Sequence, residues 1–488
     1  MVDSKKDIVS GRIIHLDTSV LIEDPFAIEK LGEYYLKEYS ERINIVVSLT
    51  VIQELDKLKG ATGIKGKNAR TASRLIEEYR TLNQNEAERG VLHNGVITRS
   101  GAKLFVDFNG MDTSILPTKL DNENDNRIIA NALSWQARYK KRQVILYTKD
   151  TNMRVVADVS NLKTLDYRLY SDSRLVQDIV YETIWPGIKK IKLTMKNSGL
   201  ISKLHLDKKI NLSEFKIINP KELSPNQCCI IYYKQDSGLC IYNRKDNQLE
   251  YVEKYPKKDD QSKKKLRPLN IEQSFAYHLL KDPRILILVI AGPPGTGKNF
   301  ITLLAGLEQL SNNDEYPYEK VHVYRPNTEL GDPFGFLPGS LEEKFGPFIG
   351  PIACNIKKFL KLHKFGNPKI DGQKDIFSLI KEGVLEVSPI NYIQGMTIEG
   401  FMIVDEFQNI KQEDADILGT RPGDNSKLVI NGDLYQVFSD RLDIRQNGLS
   451  YFCSLLKNEE SFACVVLKDA VRSKISAIVN NAKNRMLE

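Results

Sequence analysis

The stretch AGPPGTGKNF, residues 291–300, spaces its glycines and lysine as a phosphate cradle does. Gly292, Pro293, Pro294, Gly295, Thr296 and Gly297 form a tight loop whose available amides can face phosphate oxygens, and Lys298 supplies a point charge for the β and γ positions. ATP is the ligand this pattern predicts. Where a Ser or Thr hydroxyl usually ligates Mg2+, the sequence has Asn299. Two readings of Asn299 stand: its side-chain carbonyl ligates the ion along a different path, or the metal contact is lost. Farther on, FMIVDEFQN ends an apolar run in two acids, Asp405 to hold Mg2+ through water and Glu406 to orient or deprotonate the attacking water. SKLVINGDLYQVF repeats the arrangement with Asp433 and Gln436, where Gln436 is placed to sense the γ-phosphate.

A second set of acids lies near the start. Asp17 ends RIIHLD, Glu54 follows VVSLTVIQE, Asp125 opens DNRIIANAL and Asp150 ends QVILYTKD. Acids at the C-terminal ends of parallel strands share one sheet edge. Four carboxylates there can hold one or two divalent ions, Mg2+ or Mn2+, that activate water against a phosphodiester.

These residues need α/β frames. From residue 1 to about 170, apolar runs (RIIHLD, INIVVSLTVI, QVILYTKD) alternate with helical patterns (ARTASRLIEEYR, RIIANALSWQAR), which predicts a largely parallel sheet. Short β-like pieces follow: KKIKLTM, CCIIYYK, GLCIYN and QLEYVEKY. Their tyrosines, Tyr232, Tyr233, Tyr242 and Tyr251, suit a strand core better than base stacking. After KKDDQSKKK a second α/β pattern begins: ILILVIAG, KVHVYRP, GFMIVDE, SKLVINGD and CVVLKD. Within it, strand, glycine loop and the helix NFITLLAGLEQL succeed one another, with Ile301, Leu304 and Leu307 at inward spacing. The expected domains are 1–172, a β-rich connector with a basic linker at 173–265, and 266–488.

The 488 residues exceed one ordinary core, and 41% apolar with 27% charged residues is a globular composition. No apolar run approaches the ~20 residues of a membrane span. The opening MVDSKKDIVSGRIIHLD lacks the apolar core of a secretory leader, which predicts a cytoplasmic address. The six cysteines show no CxxC spacing and are expected as reduced thiols. The net charge of +7 is mild, but Lys254, Lys257, Lys258, Lys263, Lys264, Lys265 and Arg267 crowd one stretch, and Lys140, Lys141, Arg142, Lys189, Lys190 and Lys192 form further groups. Such runs suit a polyanionic backbone or, equally, a solvated linker.

RPLNIEQ, GPPGTGK, YRPN, GFLPGSLEEK, LEVSPINYIQG, VDEFQN, GDLYQ and KDAVRSKISAIV resemble, in order, the motifs of the PhoH-like ATPases over residues 266–488. The resemblance implies a RecA-like P-loop NTPase domain and, by analogy with the Q-motif of related helicases, an adenine contact from Gln273. Departures are Asn299 for Thr, Tyr324 for Thr and Phe407 for Ala. LDTSVLIEDP, VIQELDKLK, NDNRIIANAL and TKDTNMRVVAD resemble the four motifs of PIN-domain ribonucleases over about 11–170, and carry Asp17, Glu54, Asp125 and Asp150 as the metal-binding acids. Asp17 and Asp150 are also the expected catalytic acids. Lys67, Arg70 and Arg74 stand near the second motif, as RNA contacts or as a solvated face.

Together the pattern resembles PIN-PhoH fusion proteins, which implies an ATP-driven RNA helicase joined to a ribonuclease acting on single-stranded RNA. Only one RecA-like half is visible. An arginine, Arg472 or Arg421, is therefore expected to act across a subunit boundary, in a homo-oligomer consistent with the hexameric ring the resemblance implies. An alternative is an ATP-binding regulatory protein whose ATPase Asn299 has weakened or stopped, beside a working nuclease. P-loops also serve small-molecule kinases, which need neither GDLYQ nor an attached nuclease.

Overall fold

The computed structural model describes residues 11–82, 91–108, 124–168, 174–215, 222–255, 266–310, 318–326, 352–357, 359–361, 370, 375–393, 395–437, 442 and 444–469. The chain divides into two compact units, the first built on residues up to Ile179 and the second on Val180–Phe438 with Ile444–Ala477.

The first unit holds strands β1 (Ile13–Leu16), β2 (Asn44–Ser48), β3 (Val96–Ile97), β4 (Lys103–Asp107), β5 (Val144–Tyr147) and β6 (Lys163–Leu165) in the order β3-β4-β2-β1-β5-β6. All pairings are parallel except β3 with β4. Every residue of β1, β2 and β5 is buried, as a parallel sheet covered on both faces requires. Helices leave the strand ends at once: Thr18–Glu23 after β1, Leu49–Leu58 after β2, Thr151–Val159 after β5. The helical patterns expected around residues 70–80 and 127–138 lie in Gly63–Leu82 and Asn124–Arg138.

The second unit carries two sheets. In the first, β7 (Lys189–Lys192), β8 (Lys209–Asn211), β9 (Cys228–Tyr233), β10 (Asp236–Asn243) and β11 (Gln248–Val252) run in the order β7-β9-β10-β11-β8. Its period-2 alternation divides the side chains between two cores. Cys229, Ile231, Cys240, Tyr242 and Leu249 close a small core with Leu204 and Phe215. Cys228, Leu239, Ile241 and Val252 point the other way, into the same hydrophobic cluster as Phe275, Leu288 and Leu304 of the P-loop region. The region expected as a connector is thus a sheet seated on the nucleotide-binding core. Tyr242 is core, and Tyr233 and Tyr251 pack against it half-buried.

The other sheet is parallel throughout: β12 (Ile287–Ala291), β13 (Val321–Arg325), β14 (Leu385–Pro389), β15 (Ile398–Val404), β16 (Pro422–Gly432) and β17 (Phe462–Val466), in the order β14-β13-β15-β16-β12-β17. The ends of β12, β15 and β16 fall in register, Ala291 beside Gly432 and Val404 beside Ile430. The loops after these three strands therefore share one edge. Lys427 in β16 is fully buried, and its Nζ donates to the carbonyls of Leu279 (3.1 Å), Leu280 (2.8 Å) and Asp282 (2.8 Å). It closes the end of the helix Ile271–Lys281, whose last carbonyls lack partners within the helix. Burial pushes its ammonium down to about 7, with Asp282 opposing.

Candidate nucleotide and nuclease sites

The P-loop expectation holds locally. β12 runs into the loop, and the helix Lys298–Glu308 starts from Gly297, its N-cap at φ 87°. A side chain there would be strained, and a Cβ would stand 2.8 Å from Gln273 Nε2. Gly292, at φ 149°, packs so closely on the residue after β17 that a Cβ would lie 2.1 Å from the Leu467 carbonyl. Ile301, Leu304 and Leu307 are fully buried, as their spacing predicts. Lys298 Nζ donates to the loop's own carbonyls, Gly292 at 2.6 Å and Pro293 at 3.1 Å. Thr296 Oγ1 also donates to Pro293 (2.9 Å). Burial lowers the Lys298 ammonium from its ordinary range, against the charges of Asp433, Asp405 and Glu406.

Asn299 engages both ends of its amide. Its Nδ2 donates to Asp405 Oδ2 at 2.7 Å, and its Oδ1 accepts from Asn431 Nδ2 at 2.7 Å. Asp405 is 4% exposed; burial raises its pKa, with the Arg325 guanidinium, 3.2 Å from the same oxygen, acting against it. A cavity of about 20 Å3, room for about one water, touches Asn299, Arg325 and Asp405. Glu406 sits in the left-handed region at φ 57°, its Oε2 accepting from Gln408 Nε2 at 2.6 Å. Gln408 also donates to the Gln436 carbonyl (3.0 Å) and accepts from the Asp433 amide (2.9 Å), so one amide ties DEFQN to GDLYQ. Asp433 is buried, which raises its pKa; its Oδ1 accepts from the Tyr435 amide and from Tyr181 OH, both at 2.9 Å. Its Oδ2 is buried with no hydrogen-bond partner among the described residues.

Gln273 is 3% exposed. Its Nε2 donates to the Thr296 carbonyl and its Oε1 accepts from the Leu269 amide, both at 2.8 Å. The side chain braces the P-loop through these two bonds. Arg421 Nε donates to the Ile417 carbonyl (3.2 Å). Arg472, most of KDAVRSKISAIV, the GFLPGSLEEK motif and most of the basic run at 254–267 lie outside the described residues.

In the first unit, Asp17 and Asp150 are helix N-caps. Asp17, 4% exposed, accepts from the amides of Thr18 (2.6 Å) and Ser19 (3.3 Å), the Ser19 hydroxyl and the Thr148 hydroxyl (2.8 Å). Asp150 accepts from the amides of Asn152 (2.7 Å) and Met153 (3.0 Å). Glu54 accepts from the Thr18 hydroxyl and from Asn124 Nδ2 (2.7 Å). Thr18 therefore joins the first acid's helix to the second, while Asp125 is exposed in the first turn of Asn124–Arg138. The donors are all hard oxygens, which suits Mg2+ or Mn2+. Among the described residues, however, no three His, Cys, Asp or Glu stand close enough to hold an ion. Asp17 and Asp150 are held by their own helix starts, the local role that acids at strand ends also serve, and Glu54 by Thr18 and Asn124. Arg70 donates to the Lys59 carbonyl (2.7 Å).

Arg325, Gln408, Asn431 and Tyr181 join the site in the structure without a chemical role legible in the sequence. Arg325 lies within YRPN, and Gln408 and Asn431 stand beside DE and GD, which is their only local signal. Tyr181 has none, lying 252 residues from its partner. All six cysteines are free thiols, Cys354 exposed and the rest buried. Among the described residues no helix is long and apolar enough to cross a membrane.

Family models match both regions: "PhoH-like protein" over residues 265–484 and "PIN domain" over 14–168. A Bacillus subtilis (strain 168) protein named PhoH2 is 30% identical over 477 residues, covering 96% of this chain and 99% of its own. A PhoH2 of Mycolicibacterium smegmatis is 30% identical over 473 residues, with 95% of each chain covered. A PhoH-like protein of Synechocystis is 33% identical over 180 residues, covering 37% of this chain and 50% of its own. The match to PhoH2 proteins runs through both units, and the chain belongs to the PhoH2 family, in which a PIN domain and a PhoH-like domain share one polypeptide.

Proposed function

We propose that the chain hydrolyses ATP to move along single-stranded RNA and couples that movement to metal-dependent endoribonucleolytic cleavage by its PIN domain. The observation that carries this reading is the gathering of Lys298, Asp405, Glu406 and Asp433 at one edge of the parallel sheet, close enough for the three acids to act on the lysine's charge. The Gly292 and Pro293 carbonyls that hold Lys298 are neutral acceptors, and β and γ oxygens are stronger anionic ones, so bound ATP draws the lysine from loop to ligand. Glu406, steadied by Gln408, orients the attacking water and takes its proton. Gln436, whose carbonyl the same Gln408 holds, senses the γ-phosphate. Arg472, or Arg421, reaches the phosphates from a neighbouring copy in a hexameric ring.

A Mg2+ or Mn2+ ion, held by Asp405 with Asn299 at one site and by Asp17, Glu54, Asp125 and Asp150 at the other, supplies charge neutralisation and an acidified water when bound. The all-oxygen donor sets suit such ions, and PIN nucleases and P-loop ATPases generally use them. For Asp17 and Glu54 to ligate, the hydroxyls of Ser19, Thr148 and Thr18 must yield part of their hydrogen bonding. We place the protein in the cytoplasm.

Asp17→Asn is expected to abolish RNA cleavage and leave ATP turnover intact, and Lys298→Ala to stop turnover and leave basal cleavage. Loss of both activities in either variant would contradict two separable sites. A second reading, an ATP-binding regulator with a weakened or inactive ATPase, is favoured by one observation: the Asn299 amide occupies an oxygen of Asp405. It predicts tight ATP binding without phosphate release.

A further inference from the structure

A groove of about 550 Å3 runs within the second unit between one face of the helix Ile271–Lys281 and strand β11 with the chain just after it. Three tyrosines line it, each with a cation over its ring. Lys208 Nζ lies 4.1 Å from the Tyr251 centroid, Lys281 Nζ 4.8 Å from Tyr277, and Arg267 Cζ 5.6 Å from Tyr255. Five Lys or Arg face three Glu or Asp in the lining, leaving it net positive.

These cations are not equivalent. Arg284 is bound to Glu250 and Asp282, both at 2.6 Å, and Lys281 to Glu308 at 2.9 Å. Lys208 and its neighbour Lys209 are exposed. The Nε of Arg267 is buried without a hydrogen-bond partner among the described residues. The cations also sit over three different rings instead of around one point, which suits successive phosphates of a strand better than a single terminal phosphate.

We propose that this groove binds the phosphodiester backbone of single-stranded RNA, with Lys208, Lys209 and Arg267 on phosphates. The site is distinct from both the P-loop and the PIN acids, and its occupant rests on the RNA reading above. The helix that forms one wall also carries Gln273, the side chain that braces the P-loop. A strand in the groove therefore presses on the element that supports the nucleotide cradle.

The test is anisotropy of a short fluorescent oligouridylate on the full chain without divalent metal, so that cleavage is off, over a range of salt. The variants are Lys208→Gln combined with Arg267→Gln, and Lys209→Gln alone as an exposed substitution. Loss of a phosphate contact lowers the slope of log K against log salt by about 0.7 for a single strand. The double variant is expected to bind about tenfold or more weakly with a slope lower by about 1.4, Lys209→Gln to lower it by about 0.7, and both to bind a fluorescent ATP analogue as the wild type does. Wild-type binding with unchanged variants would overturn the groove and leave the RNA reading standing. No binding by the wild type would overturn both. Weaker binding with an unchanged slope would mark a structural effect and overturn the proposal, as would displacement of the strand by uridine monophosphate at equal nucleotide concentration, which marks a free-nucleotide site.

Discussion

Replacing Asn299 with Thr is expected to lower the Mg2+ concentration that ATP turnover requires. In the structure the Asn299 amide donates to Asp405 Oδ2 at 2.7 Å, and Arg325 approaches the same oxygen at 3.2 Å. A hydrogen bond to a charged group contributes about 1.5–3 kcal/mol. An ion that uses this oxygen must first displace the amide, and 1.4 kcal/mol corresponds to a factor of ten. Removing the amide therefore lowers the half-saturating Mg2+ concentration by about 10- to 100-fold, and the Thr hydroxyl adds a ligand that Asn299, with its carbonyl bound to Asn431, does not offer in this arrangement. Asn and Thr have nearly equal helix propensity, so the exchange leaves the helix itself little changed. The assay is steady-state phosphate release against total Mg2+ at saturating ATP, with Asn299→Ala beside it. Ala releases Asp405 without supplying a ligand and should fall between wild type and Thr. An unchanged or higher half-saturating concentration in Asn299→Thr refutes the reasoning, since the amide would then not compete with the ion.

Two further perturbations test the surroundings. Tyr181→Phe removes one of the two donors to Asp433 Oδ1 and leaves a buried carboxylate under-bonded, which should lower the unfolding free energy by about 1–3 kcal/mol in chemical denaturation; an unchanged midpoint would show that the bond contributes nothing. Lys427 has a folded pKa lowered from 10.5 to about 7 by burial, so between those values the unfolded chain binds the extra proton. Its contribution is fully present above the unfolded value and is lost as pH falls toward 7, with a slope of up to about 1.4 kcal/mol per pH unit. Lys427→Met should remove that slope from the pH dependence of stability, and parallel curves for the two proteins would contradict it.

The features legible in the sequence are those whose parts lie close together along the chain. The loop from Gly292 to Lys298, its strand and its helix announce themselves within about twenty residues, because strand, turn and helix each impose a local pattern. The alternation in CCIIYY and GLCIYN likewise predicted strands. It did not say that Cys228 and Cys229 face different cores, because that depends on what covers the sheet. Strand order was beyond reach: β12 lies between β16 and β17, which follow it by more than a hundred residues. Strand β8 is three residues long, too short for any period to register. Lys427 reads as a surface charge beside an apolar run, and only the helix end beneath it explains its burial. Asp17 and Asp150 were legible as acids at strand ends, a position that serves a helix cap as well as a metal.

The most direct test of the central claim is steady-state phosphate release by the purified chain with ATP and Mg2+, with and without single-stranded RNA, using Lys298→Ala as the blank. Turnover above the blank, accelerated by RNA, is the expected result. Nucleotide binding with no phosphate release, with or without RNA, would contradict it and leave the PIN acids as the chain's catalytic centre.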